Sequence, residues 1–424
     1  MSFDFKIKNN ITVIFCTVLT AVVYVFYAQI QPTYTYSLTD PRLDAHQYTA
    51  QYDYFRGTTK NYEVRFPFNA RILSSCLAAQ LSFGDIITNF KILNGIFLVF
   101  MALFLSLLWQ RLQIRNSFII IGLSWLLFHW KGPVRMYLPD PITADVGGYF
   151  FGAAWLWILS NHKPNKILLC AVAVLATLQK EVFILVIGLL VVSDWLLVFG
   201  RESLNNNNQN LNFKTSSAYL LYVFAFAIMV HFAADYFYAA SNPNWRNFSV
   251  VSVLRGVQRY VLSPELFLRL PVSWFLAFGG FQLSFFSYQL SFKNKKKHNP
   301  HLTTHISHLT SIFFVLSIFA GGDTSRILMT GAPFVMTFLL LKLNQMPDWV
   351  GYFAAATSLP LMRLTTLEPD LGLYPGQAHD WCVERWPLAE SWPYLAYVLV
   401  VGVVFWFLVS KNLNLRTAKQ EQNL

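Results

Sequence analysis

Between its first and second apolar runs the chain carries a polar stretch, Asp40 to Arg71, that gathers groups able to move protons and hold anions. Asp40, Asp44, Asp53 and Glu63 lie there with Arg42, His46, Arg56, Arg65 and Arg71, set among aromatic residues. Only 12% of the chain is charged, so one loop holding this many ionisable groups reads as the rim of an active site. Asp44, His46 and Tyr48 alternate just ahead of an expected helix, and any of Asp40, Asp44 or His46 has the chemistry of a general base. Asp53 and Arg56 read instead as a local helix pair. Arg65 and Arg71 flank Pro-Phe-Asn-Ala, where snorkelling to lipid headgroups and binding of a substrate phosphate are equally good readings.

Two further pairs have chemical character. Lys180 and Glu181 stand side by side between apolar runs, and a charge carried to the centre of a membrane helix costs roughly 2.5–3.5 kcal/mol. They therefore face a polar cavity or pair with each other at a hairpin tip. Gly-Gly-Asp-Thr-Ser-Arg, 321–326, places Asp323 and Arg326 three residues apart. On a helix they share a face, so that Asp323 orients Arg326 toward an anion or simply locks a hairpin.

The elements that position these residues are membrane helices. The chain of 424 residues is 55% hydrophobic and 17% aromatic, with repeated apolar runs near bilayer length, and this predicts an all-α polytopic protein. Lys6 and Lys8 precede the run from Ile11, which is read as a retained first span with its N-terminal side cytoplasmic. The polar region 30–91 is then external and carries surface helices, one of them, between Ile72 and Phe83, too short to cross and so amphipathic or re-entrant at the outer surface. Ile167 to Phe199 would be roughly 50 Å long as one helix, against a hydrocarbon core of about 30 Å, so it breaks into two spans at Gln-Lys-Glu. An Asn-rich stretch, 201–216, reads as a flexible cytoplasmic linker. Lys-Asn-Lys-Lys-Lys-His near residue 295 is the strongest cytoplasmic marker. Stretches 131–145, 235–269 and 363–392 become further external loops. The result is a single membrane domain over 1–424 with about twelve spans and both termini cytoplasmic. Loop charge alone delivers the first loop, Lys180–Glu181, Asp323–Arg326 and the last loop to one face.

Several classes are excluded. Cys16, Cys76, Cys170 and Cys382 are scattered and form neither a disulfide framework nor a Cys-x-x-Cys metal site. The net charge of +11 sits mostly in loops on one side and does not imply nucleic acid as a partner. His298, His301, His305 and His308 belong to a basic cytoplasmic tether rather than a metal site. Asn247-Phe-Ser249 is a glycosylation sequon that matters only in a eukaryotic secretory membrane. No phosphate-binding loop, dinucleotide fingerprint or His-Glu-x-x-His is present.

An acid in an Asp-x-x-x-Tyr setting (Asp44 to Tyr48), Pro-Phe-x-x-Arg-Ile-Leu at Pro67 to Leu73, and the later Lys-Glu and Asp-x-x-Arg hairpins together resemble bacterial members of the GT-C superfamily of integral membrane glycosyltransferases. The chain departs from that pattern in lacking an adjacent acidic pair in the first loop, which leaves open the choice between Asp44 and Asp40 and any need for a divalent cation (Mg or Mn). The resemblance implies transfer of a sugar from a polyprenyl-phosphate donor to a glycan, lipid or protein acceptor, on the periplasmic side of a bacterial inner membrane. It implies Asp44 or Asp40 as base, with Arg71, Lys180 and Arg326 on the donor phosphate and Glu181 and Asp323 orienting Lys180 and Arg326. His46 and Tyr48 line the substrate side. A transporter or flippase of a lipid-linked or anionic solute is the competing class. It would place ionisable residues along a mid-membrane path between two related halves, whereas here they cluster at one face without a visible repeat. An envelope polysaccharide polymerase or ligase would share the external site.

Overall fold

The computed structural model describes residues 11–364 and 388–421, apart from 34, 36, 37, 42, 162, 203–210, 242–257, 259–262, 286–305, 312 and 315–327. The described chain is all-helical, in the order α1 (Ile11–Ile30), α2 (Asp44–Arg56), α3 (Leu73–Gln80), α4 (Ile86–Arg111), α5 (Asn116–Phe128), α6 (Asp145–Leu159), α7 (Lys166–Gln179), α8 (Val182–Glu202), α9 (Leu211–Phe237), α10 (Pro264–Phe278), α11 (Ala332–Asn344), α12 (Asp348–Ser358) and α13 (Leu388–Glu421). Four segments, Ile11–Ile30, Ile86–Arg111, Tyr219–Phe237 and Ser391–Lys411, are long and apolar enough to cross a membrane. Helices α5, α7 and α11 and the segment Val182–Ser193 of α8 are apolar but shorter, and these four long segments are the candidate spans among the described residues.

Local chemistry sets the boundaries nearest the polar loop. Asp85 caps α4 by accepting from the Thr88 amide at 2.8 Å, and Asn165 caps α7 by accepting from Leu168 at 3.1 Å. Helix α7 ends because Lys180 turns to extended backbone, φ −161 and ψ 125, and α8 starts at Val182. The break therefore falls at Gln-Lys-Glu, where the excess length of the apolar run placed it.

Cross-chain hydrogen bonds fix the helix directions. The Asn94 side chain of α4 donates to Pro141 just before α6 (2.8 Å), while Arg111 at the other end of α4 donates to Trp157 and Ser160 at the end of α6. Helices α4 and α6 thus run parallel, with α5 returning between them. Gln31 beyond α1 reaches the Arg135 carbonyl, Gln179 ending α7 reaches Ser74 and Ala144, and Asn69 reaches Asp235 at the end of α9. One pole of the molecule therefore gathers the end of α1, the loop helices α2 and α3, and the junctions α5–α6 and α7–α8. The opposite pole is tied by Arg115, which bonds Asn344, Leu343 and Met346 and pairs with Asp348.

The core between the poles is aromatic, with Trp109, Trp125, Trp130 and Trp155 almost fully enclosed. The indole of Trp109 donates to Thr337 at 2.8 Å and that of Trp125 to the Ala277 carbonyl at 3.0 Å, which lets these amphipathic rings lie inside. Lipid gives little hydrophobic drive for helices to associate, so close packing must supply it. Gly122 of α5 illustrates this: a Cβ there would lie 2.6 Å from a Leu340 methyl of α11. Outward, α1 shows Ile11, Phe15, Val18 and Phe26, and α13 shows Val403, Trp406 and Phe407; such apolar helix faces suit lipid as their surroundings.

The stretch expected as an external loop at 131–145 folds against the helices: Lys131, Val134, Arg135, Leu138, Ile142 and Ala144 are buried, and the segment is tied to Gln31 beyond α1 and to Asn94 of α4. The short helix expected between Ile72 and Phe83 forms as α3, with Ser74, Ser75, Ala78 and Ala79 buried and Leu77 and Gln80 exposed.

Candidate active site

Helix α2 begins at Asp44, so Asp44, His46 and Tyr48 lie within its first turns and not ahead of it. Asp44 is exposed in that first turn, and Tyr48, one turn on, is buried beneath it, an i, i+4 pair on one helix face. Gln51, another turn along, donates to the Phe68 carbonyl at 2.7 Å and accepts from Ser75 at 2.9 Å. These bonds hold α2 against both the Pro-Phe-Asn-Ala turn and α3. The imidazole of His46 bonds the Leu38 carbonyl through Nδ1 at 2.8 Å. A carbonyl only accepts, so Nδ1 carries the hydrogen and the neutral ring keeps its lone pair on Nε2.

The Pro-Phe-Asn-Ala turn delivers Arg71 beside Tyr48. Asn69, buried, donates to the Asp235 carboxylate at 2.6 Å and to the Tyr238 carbonyl at 2.8 Å, and Ser241 donates its amide to Val64 at 2.9 Å. The first loop is thereby anchored on the end of α9. Arg71 extends over the Phe68 ring at 4.8 Å and reaches the Tyr48 hydroxyl with Nη1 at 3.5 Å.

The sequence suggested that Lys180 and Glu181 pair with each other or that Glu181 orients Lys180; the structure corrects both. Glu181 takes Arg71 in a two-pronged ion pair, Nε to Oε2 at 2.6 Å and Nη2 to Oε1. Lys180 pairs with the Asp145 carboxylate, which also accepts from the Tyr137 hydroxyl at 3.0 Å. Lys180 lies in extended backbone and Glu181 in the turn that leads into α8, and the two charges reach different partners. The hairpin tip thus ties the first loop to the start of α6.

Tyr48 sits at the electrostatic centre. Burial pushes its phenol up, Arg71 partly offsets this, and Asp44 and Asp145 both raise it further, so the hydroxyl stays protonated at neutral pH. Burial also pushes the Glu181 carboxyl up, but Arg71 outweighs it and, with Lys180, holds the group below the ordinary carboxylate range. The Arg71 charge is disfavoured by burial, and Tyr48 and Glu181 more than compensate, holding it protonated.

Asp44, Tyr48, Arg71, Lys180 and Glu181 are therefore brought together, with His46 on the same helix turns. Asp40 stands just before them, its carbonyl accepting from Leu43 at 3.0 Å. Asp323 and Arg326 lie outside the described residues. Sequence reasoning missed Asp145, whose only signal was an acid at the edge of an apolar run. It also misassigned Arg56, which does not pair with Asp53 but donates to the Ala79 and Leu81 carbonyls that end α3. His308 leaves the proposed basic tether and meets Ser193 of α8, while His298, His301 and His305 lie outside the described residues. Among the described residues no three His, Cys, Asp or Glu side chains converge as a metal-holding group. No family model, no curated protein and no solved structure matches the chain.

Proposed function

We propose that the protein is a membrane glycosyltransferase of the GT-C kind, transferring a sugar from a polyprenyl-phosphate donor to an acceptor hydroxyl at the non-cytoplasmic face of a bacterial inner membrane. The observation that carries the reading is the meeting, at one pole of an apolar helical protein, of an exposed carboxylate with a buried network of phenol, guanidinium and ammonium groups. Asp44 is the base. It takes the proton of the acceptor hydroxyl while that oxygen bonds the anomeric carbon and the anomeric C–O bond breaks, its electron pair leaving on the lipid phosphate. His46, two residues on in the same helix, offers its Nε2 lone pair to a sugar hydroxyl, and Asp40 is the alternative base.

Arg71 and Lys180 take a narrower role than that of bare phosphate ligands. Each has a carboxylate partner, so the pairs Arg71–Glu181 and Lys180–Asp145 position the loop and the hairpin around Tyr48. The developing charge on the leaving phosphate is met by donors left over from those pairs, such as Arg71 Nη1, and by Arg326 from the 321–326 stretch.

Purified protein in lipid, given a panel of radiolabelled polyprenyl-phosphate sugars, tests this. Wild type is expected to transfer label, and Asp44→Asn, with unchanged thermal unfolding, to be slower by about 10²–10⁴-fold. Transfer by Asp44→Asn at the wild-type rate removes Asp44 from the chemistry. Absence of transfer across the panel, with passage of a lipid-linked solute across vesicles, replaces the enzyme with a transporter.

A further inference from the structure

At the pole opposite Asp44, the ends of α4 and α6 and the start of α7 carry cations to which the reading above gives no task. Arg111, in the last turn of α4, uses Nη1 twice, donating to the Trp157 carbonyl at 3.0 Å and to the Ser160 hydroxyl at 2.9 Å, and its guanidinium lies 5.2 Å from the centroid of the Trp157 ring. These contacts hold the group against the end of α6. Its other edge, Nε and Nη2, has no partner among the described residues. The same edge of Arg71 grips the Glu181 carboxylate, which is the geometry it suits: two oxygens carried on one centre, as in a carboxylate or a phosphate. Arg111 is exposed, so that edge can be reached from outside.

Lys163 and Lys166, three and six residues beyond Ser160, are exposed as well, and the Lys166 ammonium lies 5.7 Å from the centroid of the Tyr219 ring of α9. The sequence places no Asp or Glu at 86–139 or at 146–180, and the ion pairs of the described residues leave Arg111, Lys163 and Lys166 without a carboxylate. Asp348, at the same pole, is taken by Arg115. The two lysines therefore add to the positive potential around the Arg111 edge.

A second, independent observation points to the source of the anion. Ile167 and Leu168 follow Lys166 directly and are 83% and 44% exposed. Apolar side chains one and two residues from an exposed ammonium mark the boundary between head groups and hydrocarbon, since the helix rises only about 1.5 Å per residue. A free anion gains nothing from them. A phospholipid meets both, its phosphate the cations and its acyl chains the apolar pair. A choline head group would bring a further cation among these, so a lipid of net negative charge fits better.

We propose that the free edge of Arg111, in the field of Lys163 and Lys166, binds the phosphate of an anionic phospholipid whose acyl chains lie along the start of α7. This site stands apart from the transferase reading.

Purified protein in detergent, as wild type, Arg111→Gln and Lys166→Glu, is mixed with phosphatidylglycerol or phosphatidylcholine, and the lipid-bound species are counted by native mass spectrometry. Glutamine keeps a donor for the Trp157 carbonyl, Lys166→Glu alters an exposed side chain in a first helical turn where an acid is tolerated, and thermal unfolding checks that both variants fold. Wild type is expected to bind phosphatidylglycerol about ten-fold or more tightly than phosphatidylcholine, and each variant to lose most of that preference. Equal binding of the two lipids by wild type overturns the site, and so does a preference unchanged in Arg111→Gln; should that variant fail to fold, a preference unchanged in Lys166→Glu decides in the same way. Glycerol phosphate, the head group without its chains, is titrated beside them, and binding as tight as that of phosphatidylglycerol would overturn the lipid as occupant.

Discussion

At the scale of single residues, the Arg71–Glu181 pair is the contact whose loss is easiest to read. Arg71→Ala leaves Glu181 half-enclosed without its partner; allowing for that partial exposure, a loss of about 1–3 kcal/mol is expected. Thermal unfolding of Arg71→Ala, Glu181→Gln and the double variant closes a double-mutant cycle, and the double variant should recover part of the loss. Additive losses would show that the pair does not couple the loop to the hairpin. The same carboxyl carries a pH dependence. Its native pKa is depressed, so its stabilisation is fully present above the unfolded glutamate value of about 4.3 and is lost as pH falls through the lower native value. Acid unfolding curves of wild type and Glu181→Gln should converge below that value and separate above it. How far such residues were legible depended on what each needed to be recognised. Asp44, Tyr48 and Arg71 stood out because ionisable groups are scarce in this chain. Asp145 did not, since an acid at the end of a polar segment looks like a loop residue until Lys180 is seen to reach it.

At the scale of elements, the junction of α3, α6 and α7 rests on one amide. The Gln179 side chain donates to Ser74 at 2.6 Å and to the Ala144 carbonyl at 2.5 Å, and a Cβ on Gly147 would lie 2.4 Å from its nitrogen. Gly147→Ala is therefore expected to displace that amide and cost about 1–3 kcal/mol, although alanine is the better helix former. A variant as stable as wild type in thermal unfolding would mean that the junction does not depend on it. The break between α7 and α8 was readable from length alone, because a run of that size cannot be one span. The burial of residues 131–144 was not readable. Lys131 and Arg135 advertise an exposed loop, and only the partners at Gln31 and in residues 362–363 explain how such a segment folds inside.

At the scale of the whole molecule, the arrangement predicts sidedness. With native cysteines removed, a membrane-impermeant thiol reagent on intact cells should label Asp44→Cys and leave Gln113→Cys, at the other pole, unlabelled. Labelling of both, or the reverse pattern, would break the link between pole and face. One feature of the fold reaches beyond the protein. Helix α7 has only 14 residues, about 21 Å at 1.5 Å per residue, and shows Ile167 and Leu175 on its outside. If that helix faces hydrocarbon of ordinary depth, about 30 Å, it falls roughly a third short, and the cheapest remedy is for the surrounding lipid to dimple toward it. The pole carrying Lys180 would then stand in a pinched patch of membrane, where a carrier's head group meets the protein without its tail leaving the bilayer. Transfer rates in vesicles of graded acyl length should accordingly be highest in thin bilayers and decline as the chains lengthen, whereas a rate indifferent to chain length would mean that neighbouring helices shield α7 from the lipid.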